Sequence, residues 1–169
     1  MAQALHIRQI GEEVARLLRA VHVDVTPVSL KKVFFGTMEY YPAPPADWIR
    51  ANLPIVFVVP LESTWTKPVL GPNGTWRQLC RYRILHYILL GSSEDIWTSK
   101  VLQAEKLVET LFTNWNLSSL SLTNGQILDT RVTRVGFRPP EDDVAAEFSN
   151  QLTANEILYE AEVVGTRNA

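Results

Sequence analysis

The sequence feature that most constrains the fold is a short apolar run at residues 55–59, Ile-Val-Phe-Val-Val, with Pro54 before it and Pro60 after it. A strand with one face in water alternates apolar and polar residues, whereas a strand covered on both faces is apolar throughout. This run does not alternate, so it predicts a strand in the middle of a sheet or against a subunit interface. Cover on its two faces must come from helices or from an adjoining subunit.

Length and cysteine content limit the classes of protein available. A chain of 169 residues suits a single domain, residues 1–169, with a hydrophobic core of its own. Its one cysteine, Cys80, excludes an internal disulfide framework and a multi-cysteine zinc site. No apolar run approaches the roughly 20 residues needed to cross a bilayer, and no secretory signal is visible. We therefore expect a soluble intracellular protein with no membrane partner.

Hydrophobic periodicity predicts two amphipathic helices and several further strands. The helices cover residues 4–22 and 99–115, and Pro27 prevents the first from continuing. Strand patterns cover residues 33–41, 77–90, 127–137 and 157–164. The predicted fold is α+β: a single domain with an antiparallel or mixed β-sheet, two flanking amphipathic helices and a long β-hairpin extension.

Two of these elements predict which side chains face the core. The apolar face of the second helix is predicted to comprise Val101, Ala104, Val108, Leu111, Phe112 and Trp115. In the last strand, Ile157, Tyr159, Ala161 and Val163 are predicted to face inward. Glu160 and Glu162 alternate with them and are predicted to face solvent. A stiff proline-rich link at residues 42–45, a short helical turn up to residue 51 and an acidic loop at residues 139–143 complete the prediction.

The central hairpin is long for a small domain. Residues 61–76 separate its two strands, and a dense turn signal, Gly-Pro-Asn-Gly, lies at residues 71–74. Trp65 and Trp76 lie on the two arms, where large aromatic side chains favour a partner surface. The alternative is that both tryptophans fold onto the sheet of their own chain. The predicted interface residues are Trp65, Lys67, Val69, Trp76 and Arg77.

The residues that carry chemistry do not form a recognisable catalytic or metal site. His6, His22 and His86 are scattered and lack ligand partners at metal spacing. Cys80 and His86 are six residues apart on one strand, about 20 Å, so they are not a catalytic pair. A buried structural cysteine is the favoured interpretation. We therefore predict no catalytic residues, no cofactor, no metal and no enzymatic activity.

Acidic pairs and phosphate-binding loops give no stronger signal. Asp142 and Asp143 lie in a proline-bounded loop, and Glu160 and Glu162 lie on the solvent side of a strand, so all four are interpreted as solvated charges. No glycine-rich loop is followed by the lysine and hydroxyl residue that bind phosphate.

The charge is distributed unevenly along the chain. Residues 1–85 carry ten basic and six acidic residues, a net charge of +4, and residues 86–169 carry six and twelve, a net charge of −6. In a head-to-tail assembly this polarity would place a positive face of one copy against a negative face of the next. The isoelectric point near 5.9 argues against a dedicated nucleic-acid-binding domain.

The order of elements resembles that of the tail-terminator proteins of long-tailed bacteriophages, also called tail-completion or tail-to-head joining proteins. The segments that carry the resemblance are the apolar strand at residues 55–59, the paired arm at residues 81–90 and the Gly-Ser-Ser-Glu lead-in to the second helix at residues 91–94. The resemblance extends over most of the chain, from Ile7 to Val164. The proline-rich link and the acidic loop depart from the pattern.

The resemblance implies a structural virion protein of the tail or neck, assembled in the host cytoplasm. It implies a hexameric ring that caps the tail tube, ends its growth and offers a surface to the head connector. The implied partners are other copies of the chain, the tail-tube protein and a head–tail connector or neck protein. A ring with basic residues around its channel would touch passing DNA through phosphates, without sequence specificity.

Two alternatives remain at the level of sequence. If the chain is not a tail terminator, it is either another tail-tube or neck component or a protein of a different class. That different class is a small α+β enzyme or ligand-binding domain with an unrecognised site. A cleft with a perturbed-pKa group would favour an enzyme, whereas a ring of fixed size would favour the virion protein.

Overall fold

A computed structural model of the chain describes residues 4–24, 27–29, 32–35, 55–66, 75–89, 95–138 and 152–166. Several predicted features lie outside these residues. They are the strand residues 36–41, the proline-rich link and the helical turn after it, the turn at residues 71–74, Lys67, Val69 and the acidic loop.

The described residues contain two helices and seven strands. The helices are α1 (Ala4–Arg19) and α2 (Asp95–Thr113). The strands are β1 (His22–Asp24), β2 (Pro27–Ser29), β3 (Lys32–Phe35), β4 (Ile55–Thr66), β5 (Thr75–Leu89), β6 (Gln126–Arg138) and β7 (Leu152–Thr166).

Five of the strands form one mixed sheet in the order β3-β4-β5-β7-β6. β3 is parallel to β4, and each of the other neighbouring pairs is antiparallel. β4 and β5 form the predicted long hairpin, and both helices pack on one face of the sheet. The predicted α+β class is confirmed.

The apolar run in β4 is covered as its sequence predicts. Ile55, Val56, Phe57 and Val58 are all buried. The run lies inside the sheet, because β3 pairs with one edge of it and β5 pairs with the other. The strand continues beyond Pro60 because a register shift between Pro60 and Glu62 accommodates the proline within the hairpin.

The core lies between the sheet and the two helices. The three central strands β4, β5 and β7 contribute alternate residues to it, as the pleat requires. The predicted inward residues of β7 are confirmed, since Ile157, Tyr159, Ala161 and Val163 are all buried. The Tyr82 hydroxyl also donates a hydrogen bond to the carbonyl oxygen of Ile7 at 2.6 Å, which fixes α1 against β5.

The first helix is shorter than its sequence predicts. It ends at Arg19, and His22 begins β1, which pairs antiparallel with β2. The prediction of a helix to residue 22, with His22 at its end, is therefore wrong. The physical reason is local: Val21, Val23 and Val25 alternate with polar residues and favour an extended chain. The hairpin of β1 and β2 was not predicted.

The predicted core face of α2 is only partly correct. Ala104 and Leu111 are buried as expected, and Leu107 joins them in the core. Phe112 and Trp115 are instead 65% and 50% exposed. The apolar residues of this segment therefore span two faces, one toward the core and one toward the surface.

Candidate assembly surface

An aromatic stack links the outer half of the hairpin to the first helix. Trp76 packs on the His6 ring, with centroids 5.4 Å apart and planes 21° apart, and on Trp65, with centroids 5.3 Å apart. Trp76 is 7% exposed and belongs to the core, whereas Trp65 is 40% exposed. Trp76 therefore stabilises the fold of its own chain, as the alternative interpretation expected, and Trp65 retains a free outer surface.

A chain of buried polar groups runs beneath this stack. His6 donates from Nε2 to the carbonyl oxygen of Thr123 at 2.6 Å, and its Nδ1 lies 3.0 Å from Oε1 of Gln78. The Gln78 amide then donates to the Ser63 hydroxyl at 2.5 Å. One side chain of α1 thus joins β5, β4 and the loop that enters β6. This arrangement holds elements together and exposes no reactive group.

Cys80 has the environment of a structural cysteine. It is fully buried, and its sulfur lies 3.9 Å from the Ser63 hydroxyl. Burial raises the pKa of its thiol to about 11, although hydrogen bonding with Ser63 and Tyr82 opposes the rise. β5 is continuous between Cys80 and His86, and His86 instead pairs with Asn155 of β7 at 3.3 Å. A thiol held neutral is a poor nucleophile at neutral pH.

The sheet face opposite the helices carries a row of alternating charges across four strands. Glu62, Arg81, Glu160 and Arg131 are successive cross-strand partners on β4, β5, β7 and β6. Arg81 forms ion pairs with Glu62 and with Glu160, the second at 2.9 Å, and Arg131 lies 3.4 Å from Glu160. The hydrogen bonds that Arg81 donates to the two carboxylates raise the pKa of its guanidinium.

This row corrects the prediction that Glu160 and Glu162 are solvated charges. Their side chains are only 17% and 22% exposed, and both pair with arginines. Glu162 pairs with Arg77 at 3.4 Å and with Arg131 at 3.7 Å. The arginines come from strands distant in sequence, so the pairing is a consequence of strand order.

The sheet has two edges without a strand partner among the described residues. β3 pairs only with residues 55–58 of β4, which leaves residues 59–66 open on that side. β6 is the last strand in the order, so its outer edge is open along residues 126–138. Open backbone donors and acceptors on a long strand are a template for pairing with another chain.

Exposed large apolar side chains cluster at the same two edges. Two of them, Leu61 and Trp65, lie on the outer half of β4, which we term the β4 arm. The others lie along α2, the turn that follows it and β6, and we term them the α2–β6 stripe. The stripe consists of Phe112, Trp115, Leu128, Val135 and Phe137.

The structure brings together some of the predicted interface residues and separates others. Trp65 and Arg77 both lie on the outer half of the hairpin with exposed side chains, but they point to opposite faces of the sheet. Trp76 lies in the core, and Lys67 and Val69 lie outside the described residues. The α2–β6 stripe was missed, because the apolar periodicity of α2 was assigned wholly to the core.

The described parts of the chain show no metal centre and no membrane-crossing helix. Within them no three histidine, cysteine, aspartate or glutamate side chains converge as metal ligands. No helix in these parts is both long enough and apolar enough to cross a membrane.

The fold is similar to that of a protein of known structure. A chain in a solved structure titled "Virion of native gene transfer agent (GTA) particle" has the same overall fold, with a TM-score of 0.51. The match covers 92% of this chain and 95% of that chain at 14% sequence identity. No protein-family profile matches the sequence, and no curated protein matches it significantly. At this identity the likeness shows a shared fold.

Proposed function

We propose that the protein is a structural component of a phage-like virion and acts as its tail terminator. Six copies form a ring that caps the tail tube, ends its growth and joins the tail to the head connector. The observation that carries the proposal is the nearly full-length fold match with a chain of a virion particle. The order of elements, which resembles that of tail terminators, supports the more specific assignment.

The surface features support assembly into a ring. A ring needs two different surfaces on each subunit that fit one another, with a rotation that closes. Among the described residues, the sheet has two open edges on opposite sides, one at β4 and one at β6, and each carries exposed apolar side chains. The opposite net charges of the two halves of the sequence favour one order of contact over the other.

The partners follow from the position of such a ring. One ring face meets the last tail-tube ring, and the other meets the connector or a neck protein. Passing DNA is met through phosphates alone, without base recognition. In this role the protein is located in the virion after assembly in the host cytoplasm, and it needs no catalytic residue and no cofactor. The buried, neutral thiol of Cys80 agrees with that role.

The ring is tested by the native mass of the purified protein, measured by light scattering with electron microscopy of the same peak. The expected result is a particle of about 115 kDa, six times the chain mass of 19.1 kDa, with a central hole. A compact assembly of another mass without a hole would contradict the ring.

The position in the virion needs a separate experiment. Antibody labelling of particles should place the protein at one site, where the tail meets the head. Particles made without it should have tails of irregular length and no attached heads. Labelling along the whole tail would contradict the terminator assignment and indicate a tube component instead.

A further inference from the structure

We infer that the α2–β6 stripe of one copy receives the β4 arm of a second copy, with Trp65 as the inserted side chain. This inference rests on the proposed assembly function and names the surface by which adjacent copies meet. It concerns contacts between identical chains and is independent of which virion component the protein is.

The stripe is a groove as well as an exposed patch. Between α2 and β6 lies a cavity of about 390 Å³, and six of the eight residues that line it are apolar. Val101, Val108 and Phe112 form its helical wall, and Val135 and Phe137 form its floor. A groove of this volume accommodates one large aromatic side chain, the kind of anchor that dominates protein interfaces.

The β4 arm has a shape and composition that fit such a groove. Leu61 and Trp65 are 51% and 40% exposed, four residues apart on the same strand. Trp65 packs on Trp76, which holds the indole in place while its outer surface remains uncovered. A rigid aromatic side chain loses little conformational entropy on binding, so preorganisation favours the contact.

The arm and the groove of one chain cannot meet each other. β5 and β7 lie between β4 and β6, which separates the two edges by about 14 Å at the usual strand spacing. Trp65 and Val135 nevertheless point to the same face of the sheet, because their cross-strand partners, Gln78 and Ile157, are both buried on the helix side. A second copy placed edge to edge therefore presents its Trp65 on the face where the groove opens.

The charges around the two surfaces agree with this contact. The charged residues that line the groove are both acidic, Glu105 and Glu109. Arg77 and Arg81 of the hairpin point to the opposite face of the sheet from Trp65 and pair with Glu162 and Glu160 of their own chain. The arm therefore presents the uncharged side chains of Leu61 and Trp65 to the groove, whereas groove-to-groove contact would oppose like charges.

A pair of defective variants tests the contact. Trp65→Glu replaces the inserted side chain of the arm by a charged one and leaves the groove intact. Phe112→Glu places a charge in the groove and leaves the arm intact. Each variant alone should lose the high-mass species, with association weakened at least tenfold. Thr64→Glu, beside Trp65, and Ser119→Glu, beyond the end of α2, place the same charge at exposed positions and should assemble normally. Circular dichroism and the unfolding midpoint confirm that each variant folds.

Mixing the two variants gives the decisive result. The intact groove of one should bind the intact arm of the other, so an equimolar mixture should form a heterodimer of about 38 kDa, twice the chain mass. Because the remaining surfaces are both defective, growth should stop there. A symmetric contact between identical surfaces would give no heterodimer.

The outcomes separate the inference from the proposed function. Full assembly by folded Trp65→Glu or Phe112→Glu, no heterodimer on mixing, or a wild-type chain that stays monomeric at its highest soluble concentration would each overturn the inference. If those variants assemble but labelling still places the protein where tail meets head, the proposed function stands alone. If the heterodimer forms but labelling places the protein elsewhere, the arm-to-groove contact stands and the terminator assignment fails.

Discussion

The indole of Trp76 occupies the space in which a side chain on Gly165 would lie. The two residues are cross-strand partners on β5 and β7. A β-carbon built on Gly165 would overlap the six-membered ring of Trp76 and the carbonyl oxygen of Asn124. The absence of a side chain at residue 165 therefore lets Trp76 lie flat within the core and reach His6.

Replacing this glycine should destabilise the protein. We expect Gly165→Ala to lower the free energy of unfolding by about 2–3 kcal/mol, because the indole and the loop at Asn124 must both move. Urea denaturation measures the change. Gly136→Ala is the matched control on β6, where the nearest atoms are 3.9 Å away, and it should change stability by less than about 0.5 kcal/mol. Equal effects at both positions would contradict the packing argument.

The five strands of the main sheet and the long β4–β5 hairpin were predictable because local patterns determine them. The unbroken apolar run in β4 and the alternation in β7 each follow from which faces are covered, and the structure confirms both. The strand predicted at residues 127–137 is likewise confirmed as β6. These features depend on neighbours within a few residues, so the sequence alone carries them.

The surface features were less predictable because they depend on strand order. The pairing of Arg81 with Glu160 joins residues 79 apart, through a register that no local pattern contains. The exposure of Phe112 was missed for a related reason, since periodicity shows that a helix has apolar faces without showing what covers each one. The position of α2 against β6, at the end of the sheet, leaves one of those faces open.

His6 should contribute to stability far more than its neighbours on α1. Its ring contacts Gln78 and Trp76 of β5 and the Thr123 carbonyl in the loop that enters β6, and it is 1% exposed. We expect His6→Ala to lower the free energy of unfolding by about 2–3 kcal/mol, because buried polar groups lose their partner. Arg8→Ala is the control, since Arg8 is exposed and its ion pair with Glu12 is long. A stability unchanged within error in the His6 variant would show that this polar chain is dispensable.

The buried thiol of Cys80 should make stability depend on alkaline pH. Burial raises its pKa from 9.0 to about 11, so between these values the unfolded chain releases a proton that the folded chain keeps. Stability from this group is therefore full below pH 9 and falls as the pH rises to about 11, by up to about 2–3 kcal/mol. Urea denaturation of wild type and Cys80→Ala across this range measures the effect, and the variant should show the shallower decline.

Thiol labelling provides an independent check on the same residue. In the folded protein at pH 8, Cys80 should react with a thiol reagent at least a hundredfold more slowly than in urea, because it is both inaccessible and protonated. Rapid labelling of the folded protein, at the rate of an exposed cysteine, would contradict the structural assignment.

The two tryptophans should differ in what their removal does. Trp76 is a core residue, so Trp76→Ala should lower the free energy of unfolding by about 3–4 kcal/mol through lost burial and the cavity left behind. Trp65 lies on the surface of that core, and Trp65→Ala should cost only about 1 kcal/mol while weakening association of the chains. Urea denaturation and native mass, measured on both variants, separate the two effects. A large loss of stability in Trp65→Ala with unchanged assembly would contradict this division, because it would make Trp65 a core residue that no neighbouring copy contacts.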